Sequence, residues 1–552
     1  MKLRGVPLLC LLAACAAPVP RVTGDAPIRI ELIAFNDFHG HLDPPGTPTR
    51  VPGAAGEPDV QLSTGGVAWL AGEVEALRRA HPASVVVAAG DLIGGSPLTS
   101  SLLKHEPSID ALSAAGLEFT SVGNHEFDRG AAELQRLARR AGFQYLAANV
   151  RVKATGKLLF PAWARKRVAV PGRGAIDIAF VGAVLHTTPE LVGRGATAGL
   201  EFLDEAESVN RAVAEVHAAG IETIVLLIHE GGFTSSTRFD DADCPDFRGP
   251  ILDIVDRLDP AIDVVVSGHT HRTYICRRNG RLVTSAGVEG RFITDIALTI
   301  DPLTHDVREA SAHQLPVIND ALPNPLAAQY PAVRPDAALL ARVAQWNATV
   351  ATQAQRPLGS ITAPLTRVPD ANGETRLGDV VADAELRATA PPDKGGAQLA
   401  FVNNGGLRAD LAATDGKVSY ANAFGVHPFG NIMVTMTLTG AEIDTALETQ
   451  WQGAGSLLQV SNGLTYRWRA SAAPGAKIMP GDILLNGVPL APEATYRVTV
   501  SDFLGGGGDG YLVFKQGRER VPGPSDLEVL QQYLAAHSPL PPPEAGRIVR
   551  LP

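Results

Sequence analysis

Polar residues of the types that bind divalent cations recur in the first half of the chain, each time directly after an apolar run. They are Asp37 and His39 after IELIAFN, Asp91 after VVVAAG, Asn124 and His125 after FTSVG, His229 after IVLLI, and His269 and His271 after DVVVSG. A lone histidine after a strand is usually a packed or surface residue and not a metal ligand. Carboxylate, amide and imidazole groups together supply what two divalent transition ions need, with one carboxylate bridging them. Five such segments in order therefore indicate a two-metal site.

The apolar runs are short and alternate with helix-like stretches, which is typical of an α/β fold with buried sheets. The runs lie at 85–89, 178–184, 224–228 and 262–266, and the helical patterns at 66–79, 131–141 and 208–219. In such folds, binding sites form beyond the carboxyl ends of strands, where loops emerge together. Asp37 and His39 are two residues apart, as are His269 and His271, so each pair would point the same way on an extended backbone.

A proline-dense stretch, PNPLAAQYPAVRP at 323–335, predicts a linker, because proline suits neither a helix interior nor a central strand. A helix is predicted over about 336–355, with apolar residues at helical spacing. We expect a leader and tether at 1–24, a catalytic domain at 25–325, a linker and helix at 326–355, and a second α/β unit at 356–552.

The motifs NDFHGH, AGDLIGGS, GNHEFDRG, IHE and SGHTH resemble the five blocks of the calcineurin-like metallophosphatases. In detail they are similar to those of the 5′-nucleotidases, including the periplasmic UDP-sugar hydrolase/5′-nucleotidase group. The resemblance implies a four-layer α/β/β/α sandwich followed by a C-terminal α/β substrate-binding domain. It also implies two divalent ions, Zn, Mn or Co. Asp37, His39 and His271 would hold one ion, Asn124, His229 and His269 the other, and Asp91 would bridge them.

His125 and Asp128 match the catalytic pair of that family. The resemblance implies attack on phosphorus by water that the two ions activate. His125 would stabilise the phosphoryl group or protonate the leaving oxygen, and Asp128 would orient the imidazole. The other interpretation of Asp128 is a cap of the following helix, which is compatible with the catalytic role.

Three later segments resemble the family's substrate-binding blocks: VNNGGLR, HPFGN, and SDF through GDGY. By that resemblance, Phe429 and Phe503 would sandwich a nucleobase, which a stacking slot of this kind binds with little base selectivity. Asp509 would bond the ribose hydroxyls, Arg408 would face the phosphate chain or another anionic group, and Asn403 would contact the substrate. The alternative for a phenylalanine beside Pro-Gly is core or turn packing.

Asp379 departs from the family pattern, because some bacterial relatives have arginine at its position. An acidic residue there would weaken contact with a second phosphate, which favours nucleoside monophosphates over nucleotide diphosphate sugars. We expect 5′-nucleotidase activity, with opening of 2′,3′-cyclic nucleotides as a further activity. The alternatives are a nucleotide-sugar diphosphatase, a thiosulfohydrolase of the same fold, and a non-catalytic nucleotide-binding surface lipoprotein.

The first residues, MKLRGVPLLCLLAAC, combine a basic start with an apolar run too short to cross a bilayer, which is typical of a secretory signal. LAAC resembles the lipobox of bacterial lipoproteins, in which cleavage precedes a cysteine that carries lipid. We expect export to the periplasm or cell envelope, with membrane attachment only through lipid on Cys15. The alternative is an ordinary signal peptide, with Cys15 discarded.

Outside the leader the sequence has two cysteines, Cys244 and Cys276. Disulfides persist in exported proteins, so an even number of cysteines favours a bridge. A bridge between them is predicted, with two buried free thiols as the alternative.

The formal net charge of −10 argues against a nucleic acid polymer as partner, because binding to its backbone needs clustered Lys and Arg. A small anionic nucleotide stays compatible, since bound metal ions can reverse the local field.

Overall fold

Two six-stranded sheets form the N-terminal part of the chain. The computed structural model describes residues 25–51, 58–192, 195–412, 414–452 and 457–552. The strands here are β1 (Ile28–Phe35), β2 (Thr49–Val51), β3 (Val60–Leu62), β4 (Ser84–Ala89), β5 (Phe119–Ser121), β6 (Gln144–Leu146), β7 (Val150–Val152), β8 (Trp163–Val170), β9 (Gly174–Val184), β10 (Leu200–Phe202), β11 (Thr223–His229), β12 (Val264–Ser267), β13 (Thr273–Arg278), β14 (Arg281–Ala286), β15 (Phe292–Ile300) and β16 (Val307–Pro316). The helices are α1 (Val67–Ala80), α2 (Leu98–Leu102), α3 (Glu106–Ala114), α4 (Ala131–Arg140), α5 (Thr188–Leu191), α6 (Glu205–Ala218) and α7 (Pro250–Arg257).

The central strands of both sheets run parallel. The first sheet has the order β16-β15-β1-β4-β5-β6, and the second has β13-β14-β12-β11-β9-β8. In the first, β1, β4, β5 and β6 pair in parallel. In the second, β9, β11, β12 and β14 do so. The carboxyl ends of the parallel strands in each sheet therefore lie along one edge, as the sequence predicts.

Three apolar layers hold this part together. Ile30 and Leu32 of the first sheet pack with Val225 and Val264 of the second, so the two sheets lie face to face. Helices α1, α3 and α4 cover the outer face of the first sheet, and α6 and α7 cover that of the second. The predicted four-layer α/β/β/α sandwich is confirmed.

A long helix, α8 (Ala337–Ala354), follows the proline-dense stretch, which contains neither helix nor strand. The side chain of Asp336 caps this helix by accepting the N–H of Leu339 at 2.7 Å. Helix α8 packs on α1, α2 and α3. Thr99 of α2 donates to the side chain of Asn347 at 2.6 Å.

The C-terminal part is a second α/β unit. Its strands are β17 (Pro357–Ser360), β18 (Leu399–Val402), β19 (Lys417–Ser419), β20 (Ile432–Thr439), β21 (Gln459–Val460), β22 (Leu464–Arg469), β23 (Ile483–Leu485), β24 (Val488–Pro489), β25 (Thr495–Ser501), β26 (Arg518–Ser525) and β27 (Ile548–Leu551). Its helices are α9 (Arg376–Thr389), α10 (Tyr420–Val426), α11 (Gly440–Thr449), α12 (Asp502–Gly505) and α13 (Asp526–Ala536). The main sheet has the order β21-β18-β25-β20-β26, and a second has β24-β23-β22-β27.

Cys244 and Cys276 form the predicted disulfide, with their Cα atoms 5.2 Å apart. Cys276 lies in β13, shortly after the loop that carries His269 and His271. The leader and Cys15 lie outside the described residues. Among the helices that the structure does describe, we find none with the length and apolar character needed to cross a membrane.

Candidate active site

Seven predicted metal ligands meet beyond the carboxyl ends of strands from both sheets. Asp37 and His39 follow β1, Asp91 follows β4, Asn124 follows β5, His229 ends β11, and His269 and His271 follow β12. Five of the seven residues are buried, whereas His269 is half-buried and the side chain of His271 is 32% exposed. The loops therefore bring together residues that are more than two hundred positions apart.

Asp37, His39 and His271 meet at one end of this cluster. The Nε2 atom of His271 lies 3.3 Å from Asp37 Oδ1, and Nε2 of His39 lies 3.7 Å from the same oxygen. Ligand atoms of the three residues all lie within 4.8 Å of one another. They can therefore surround a single cation.

Asp91 lies between this group and a second group, which consists of Asn124, His229 and His269. Its Oδ2 atom is 3.8 Å from His39 Nε2 and 3.1 Å from His229 Nε2. Asn124 Oδ1 lies 3.2 Å from His229 Nε2 and 3.1 Å from His269 Nδ1. One carboxylate thus lies near both groups, at the position where the family resemblance implies a bridging ligand.

The backbone that presents these side chains is left-handed at both members of the two closely spaced ligand pairs. Asp37 and His39 have φ values of 49° and 48°, and His269 and His271 have 70° and 56°. Non-glycine residues rarely adopt this left-handed region, and such strain is concentrated at functional sites. The side chains of each pair therefore converge through tight left-handed turns, and not by the alternation of an extended strand.

The buried donor set fits divalent cations. Asp37 Oδ1 is buried and has no hydrogen-bond partner among the described residues, whereas Oδ2 accepts the backbone N–H of His269 at 2.9 Å. His39 Nδ1 donates to the carbonyl of Gly94 at 2.8 Å, and His229 Nδ1 donates to that of Ala89 at 2.7 Å. The Nε2 atoms of both rings are therefore directed into the cluster as candidate ligand atoms.

The protonation equilibria of the cluster also favour a cation. Burial lowers the pKa of His39 to about 4 and that of His269 to about 3, which keeps both rings neutral. Burial would also lower the pKa of His229, but the carboxylates of Asp91 and Asp37 raise it to about 10. A proton then occupies a position where a metal ion would displace it.

His125 and Asp128 lie beside the cluster, on a short 3₁₀ turn that begins at His125. His125 Nδ1 is 2.9 Å from Asp128 Oδ2. Burial alone would lower the pKa of His125, but Asp128 and Asp91 more than offset burial and hold this pKa above its ordinary value. Helix α4 is capped by Gly130 without a side-chain hydrogen bond, so Asp128 is not its cap.

A cleft of about 260 Å³ opens in front of the cluster, between the N-terminal and C-terminal parts of the chain. All five predicted substrate-binding residues line it, together with the catalytic pair: Asn403, Arg408, Phe429, Phe503, Asp509, His125 and Asp128. Asn403 Nδ2 donates to Asp509 Oδ2 at 2.8 Å, and burial raises the pKa of Asp509. The guanidinium carbon of Arg408 lies 5.6 Å from the ring centroid of Phe429, a cation–π distance.

Two glycines lie at this cleft, Gly94 against His125 and Gly95 against the C-terminal part of the chain. Gly94 and Gly95 have φ values of 85° and 54°. A Cβ atom on Gly94 would lie 2.5 Å from His125 Cβ, and one on Gly95 would lie 3.2 Å from Arg408 Nε. A side chain at Gly94 would clash with His125, whereas one at Gly95 would be in tight contact with Arg408. The positive φ values favour glycine at both positions.

Asp379 does not line the cleft. It lies in α9 and is fully buried, with its carboxylate oxygens 3.8 Å from Arg376 and 3.9 Å from Arg547. The expectation that Asp379 selects against a second phosphate was wrong, because the side chain packs inside the C-terminal part and does not face a ligand.

Several supporting residues were not predicted. Asn36 Nδ2 donates to Asp37 Oδ2 at 2.7 Å and to the carbonyl of Gly287 at 2.8 Å, so it orients that carboxylate. His105, Arg129 and Asn431 line the cleft. The position of Asn431 inside HPFGN was a usable signal, whereas His105 and Arg129 belong to no ligand motif.

Comparison with known proteins agrees with this architecture. The calcineurin-like phosphoesterase family matches residues 31–273, and the 5′-nucleotidase C-terminal domain family matches residues 350–516. The crystal structure of a 5′-nucleotidase precursor from Thermus thermophilus has a TM-score of 0.77 to this chain at 26% identity, covering 95% of this chain and 99% of that one.

Two proteins of similar sequence to this chain are named for different activities. A probable 5′-nucleotidase of Treponema pallidum (strain Nichols) is 25% identical over 583 aligned residues, covering 92% of each chain. Endonuclease YhcR of Bacillus subtilis (strain 168) is 26% identical over 536 aligned residues, covering 94% of this chain. The chain spans only 41% of the length of that endonuclease.

Proposed function

The chain belongs to the 5′-nucleotidase family, with a calcineurin-like metallophosphatase domain followed by a 5′-nucleotidase C-terminal domain, and from this premise we propose that it hydrolyses nucleoside 5′-monophosphates to nucleoside and phosphate. The observation that supports this most is the cleft, which joins a cation-binding cluster to a pair of aromatic rings. Asp379 is buried and does not line the cleft, so the preference for monophosphates is supported only by similarity to 5′-nucleotidases.

Two divalent ions are implied by the fold, and the donor set fits Zn, Mn or Co. Asp37, His39 and His271 would hold one ion, Asn124, His229 and His269 would hold the other, and Asp91 would contact both. Ions bound there would lower the pKa of water and neutralise charge on the phosphoryl oxygens.

His125 acts as the proton donor to the leaving oxygen in this proposal. Asp128 Oδ2 lies 2.9 Å from His125 Nδ1 and keeps a proton on that nitrogen. The other ring nitrogen, Nε2, is then the atom that transfers a proton. Positioned acid–base groups of this kind contribute about 10²- to 10⁴-fold to a rate.

The nucleoside half of the substrate would lie against the C-terminal wall of the cleft. Phe429 and Phe503 provide faces on which a base can stack. Asp509, held by Asn403, is directed to the ribose hydroxyls, and Arg408 is the nearby cation for a phosphate oxygen. Because stacking tolerates every base, purine and pyrimidine nucleotides would both be substrates.

A substrate panel tests the proposal. Protein supplied with Mn²⁺, Zn²⁺ or Co²⁺ is assayed for phosphate or base-containing products from AMP, 2′,3′-cyclic AMP and UDP-glucose, before and after EDTA. We expect AMP to be hydrolysed most efficiently and chelation to abolish the activity. Metal-loaded protein that releases no phosphate from any nucleotide would contradict the proposal.

We also infer export to the cell envelope and lipid on Cys15. The secretory pattern at the N-terminus and the Cys244–Cys276 bridge support this inference. Labelling with a fatty acid should tag the wild-type protein, and Cys15→Ser should abolish the label. A labelled Cys15→Ser variant would contradict lipid attachment at this residue.

A further inference from the structure

The ring of Phe429, from the C-terminal part, stacks on the ring of His125, from the N-terminal part. The ring centroids are 5.5 Å apart and the planes differ by 13°. Near-parallel rings at this separation form a favourable stack. We propose that Phe429 is a positioning residue for His125, in addition to its role as a wall of the cleft.

The other contacts of His125 do not fix the tilt of its ring. Asp128 contacts Nδ1 through both oxygens, at 2.9 and 3.1 Å, and fixes one edge of the imidazole. His39 meets the ring at a centroid distance of 5.3 Å and an angle of 73°. A hydrogen bond at Nδ1 still permits the ring plane to tilt about that contact. The flat face of Phe429 restricts the tilt, and so fixes the direction of Nε2.

The stack joins two parts of the chain that are separated by helix α8. His125 therefore has its full set of contacts only when the C-terminal part lies against the metal-ligand cluster, as it does here. Gly95 permits this approach, since a Cβ atom there would lie 3.3 Å from the ring of Phe429. The inference rests on the proposed hydrolase function, but it does not require a base in the substrate.

A phosphoester without a base separates the two roles of Phe429. Ribose 5-phosphate and AMP are assayed with Phe429→Leu, Phe429→Tyr and Phe503→Leu. Phe233→Leu is the matched control, because Phe233 is 36% exposed and lies outside the cleft. The melting temperature of each variant and the orientation of His125 in crystals of Phe429→Leu complete the measurements.

Phe429→Leu should lower kcat about 3- to 10-fold on both substrates, the range expected for loss of an aromatic pair next to the reacting groups. Phe429→Tyr should restore kcat on ribose 5-phosphate, and the His125 ring should be tilted or disordered in Phe429→Leu. Phe503→Leu should act mainly on the KM for AMP, and should lower ribose 5-phosphate turnover less than Phe429→Leu does.

Equal effects of Phe429→Leu and Phe503→Leu on ribose 5-phosphate, or an unchanged His125 ring and an unchanged kcat for AMP in Phe429→Leu, would overturn the positioning role. AMP hydrolysis by the wild-type protein would then still support the proposed function. Failure of the wild-type protein to hydrolyse any nucleotide would instead overturn the proposed function itself.

Discussion

The Nε2 atoms of His39 and His271 face each other at 3.1 Å, beside the buried carboxylate of Asp37. Two imidazole lone pairs at this distance repel each other unless a proton or a cation lies between them. Burial would raise the pKa of Asp37, yet His229, His271 and His39 hold it well below its usual range, so the carboxylate stays charged. The arrangement is therefore one that a cation stabilises.

Metal ions should stabilise the folded protein as well as activate it. Divalent metal at about 100 times its Kd should add about 2.7 kcal/mol to the free energy of unfolding, which raises the melting temperature. Asp91→Asn removes the carboxylate that contacts both ligand groups and should abolish most of this rise. Asp253→Asn, an exposed residue of α7, is the control that should keep it. An Asp91→Asn protein with the wild-type metal-dependent shift would show that Asp91 is not a ligand.

Asp509 should contribute to affinity through the ribose hydroxyls. Asp509→Asn should raise the KM for AMP about 10-fold or more, since a hydrogen bond to a charged group contributes about 1.5–3 kcal/mol. The KM for the 2′,3′-dideoxy nucleotide should change much less, because it lacks both hydroxyls. Equal changes for the two nucleotides would contradict the contact.

A backbone-matched control exists for this substitution. Asp509 and Asp415 have φ values of 53° and 55°, and asparagine tolerates this left-handed region as well as aspartate does. Asp415 is exposed and does not line the cleft. Asp415→Asn should therefore leave both KM values unchanged.

The cluster was predictable because the strand-end rule depends only on local sequence. An apolar run followed by Asp91 or His229 already places the side chain at the sheet edge where ligands bind. The left-handed turns at Asp37 and His39 were not predictable, because spacing alone does not fix φ.

Long-range contacts and buried polar contacts also could not be predicted from the sequence. No local pattern specifies how the two parts of the chain pack, so the stack of Phe429 on His125 had no signal. Asp379 is one of two buried acidic residues of α9, with Glu385, whereas aspartate is almost never fully buried unless paired. The expectation that Asp379 faces a ligand came from the family resemblance, which does not fix where this side chain lies.

The disulfide should stabilise the loop region next to His269 and His271. Closing a loop with a sequence separation of 32 residues is worth about 4 kcal/mol in the chain-entropy account. The double variant Cys244→Ala/Cys276→Ala should therefore unfold at lower urea concentration than the wild-type protein. Reductant should destabilise the wild-type protein and leave the double variant unchanged. Equal unfolding curves for oxidised wild type and double variant would show that the bridge contributes no stability.

Asp379 should make the stability of the C-terminal part fall as pH rises. Burial raises the pKa of Asp379 to about 8, and the nearby Arg547 only partly offsets this. In the unfolded chain, the pKa is about 3.9. Between these values the folded state keeps a proton that the unfolded state has lost. The stabilisation is thus complete below about pH 4 and is lost as pH rises through 8, at up to about 1.4 kcal/mol per pH unit.

Asp379→Asn should remove this dependence, because the amide does not titrate. Urea unfolding from pH 5 to 8, followed by tryptophan fluorescence, should give a flatter stability profile for Asp379→Asn than for wild type. Asp393→Asn, at an exposed position of the same part of the chain, should keep the wild-type slope. If the profile of Asp379→Asn were as steep as that of the wild type, Asp379 would be ionised in the folded protein, held by Arg376 and Arg547.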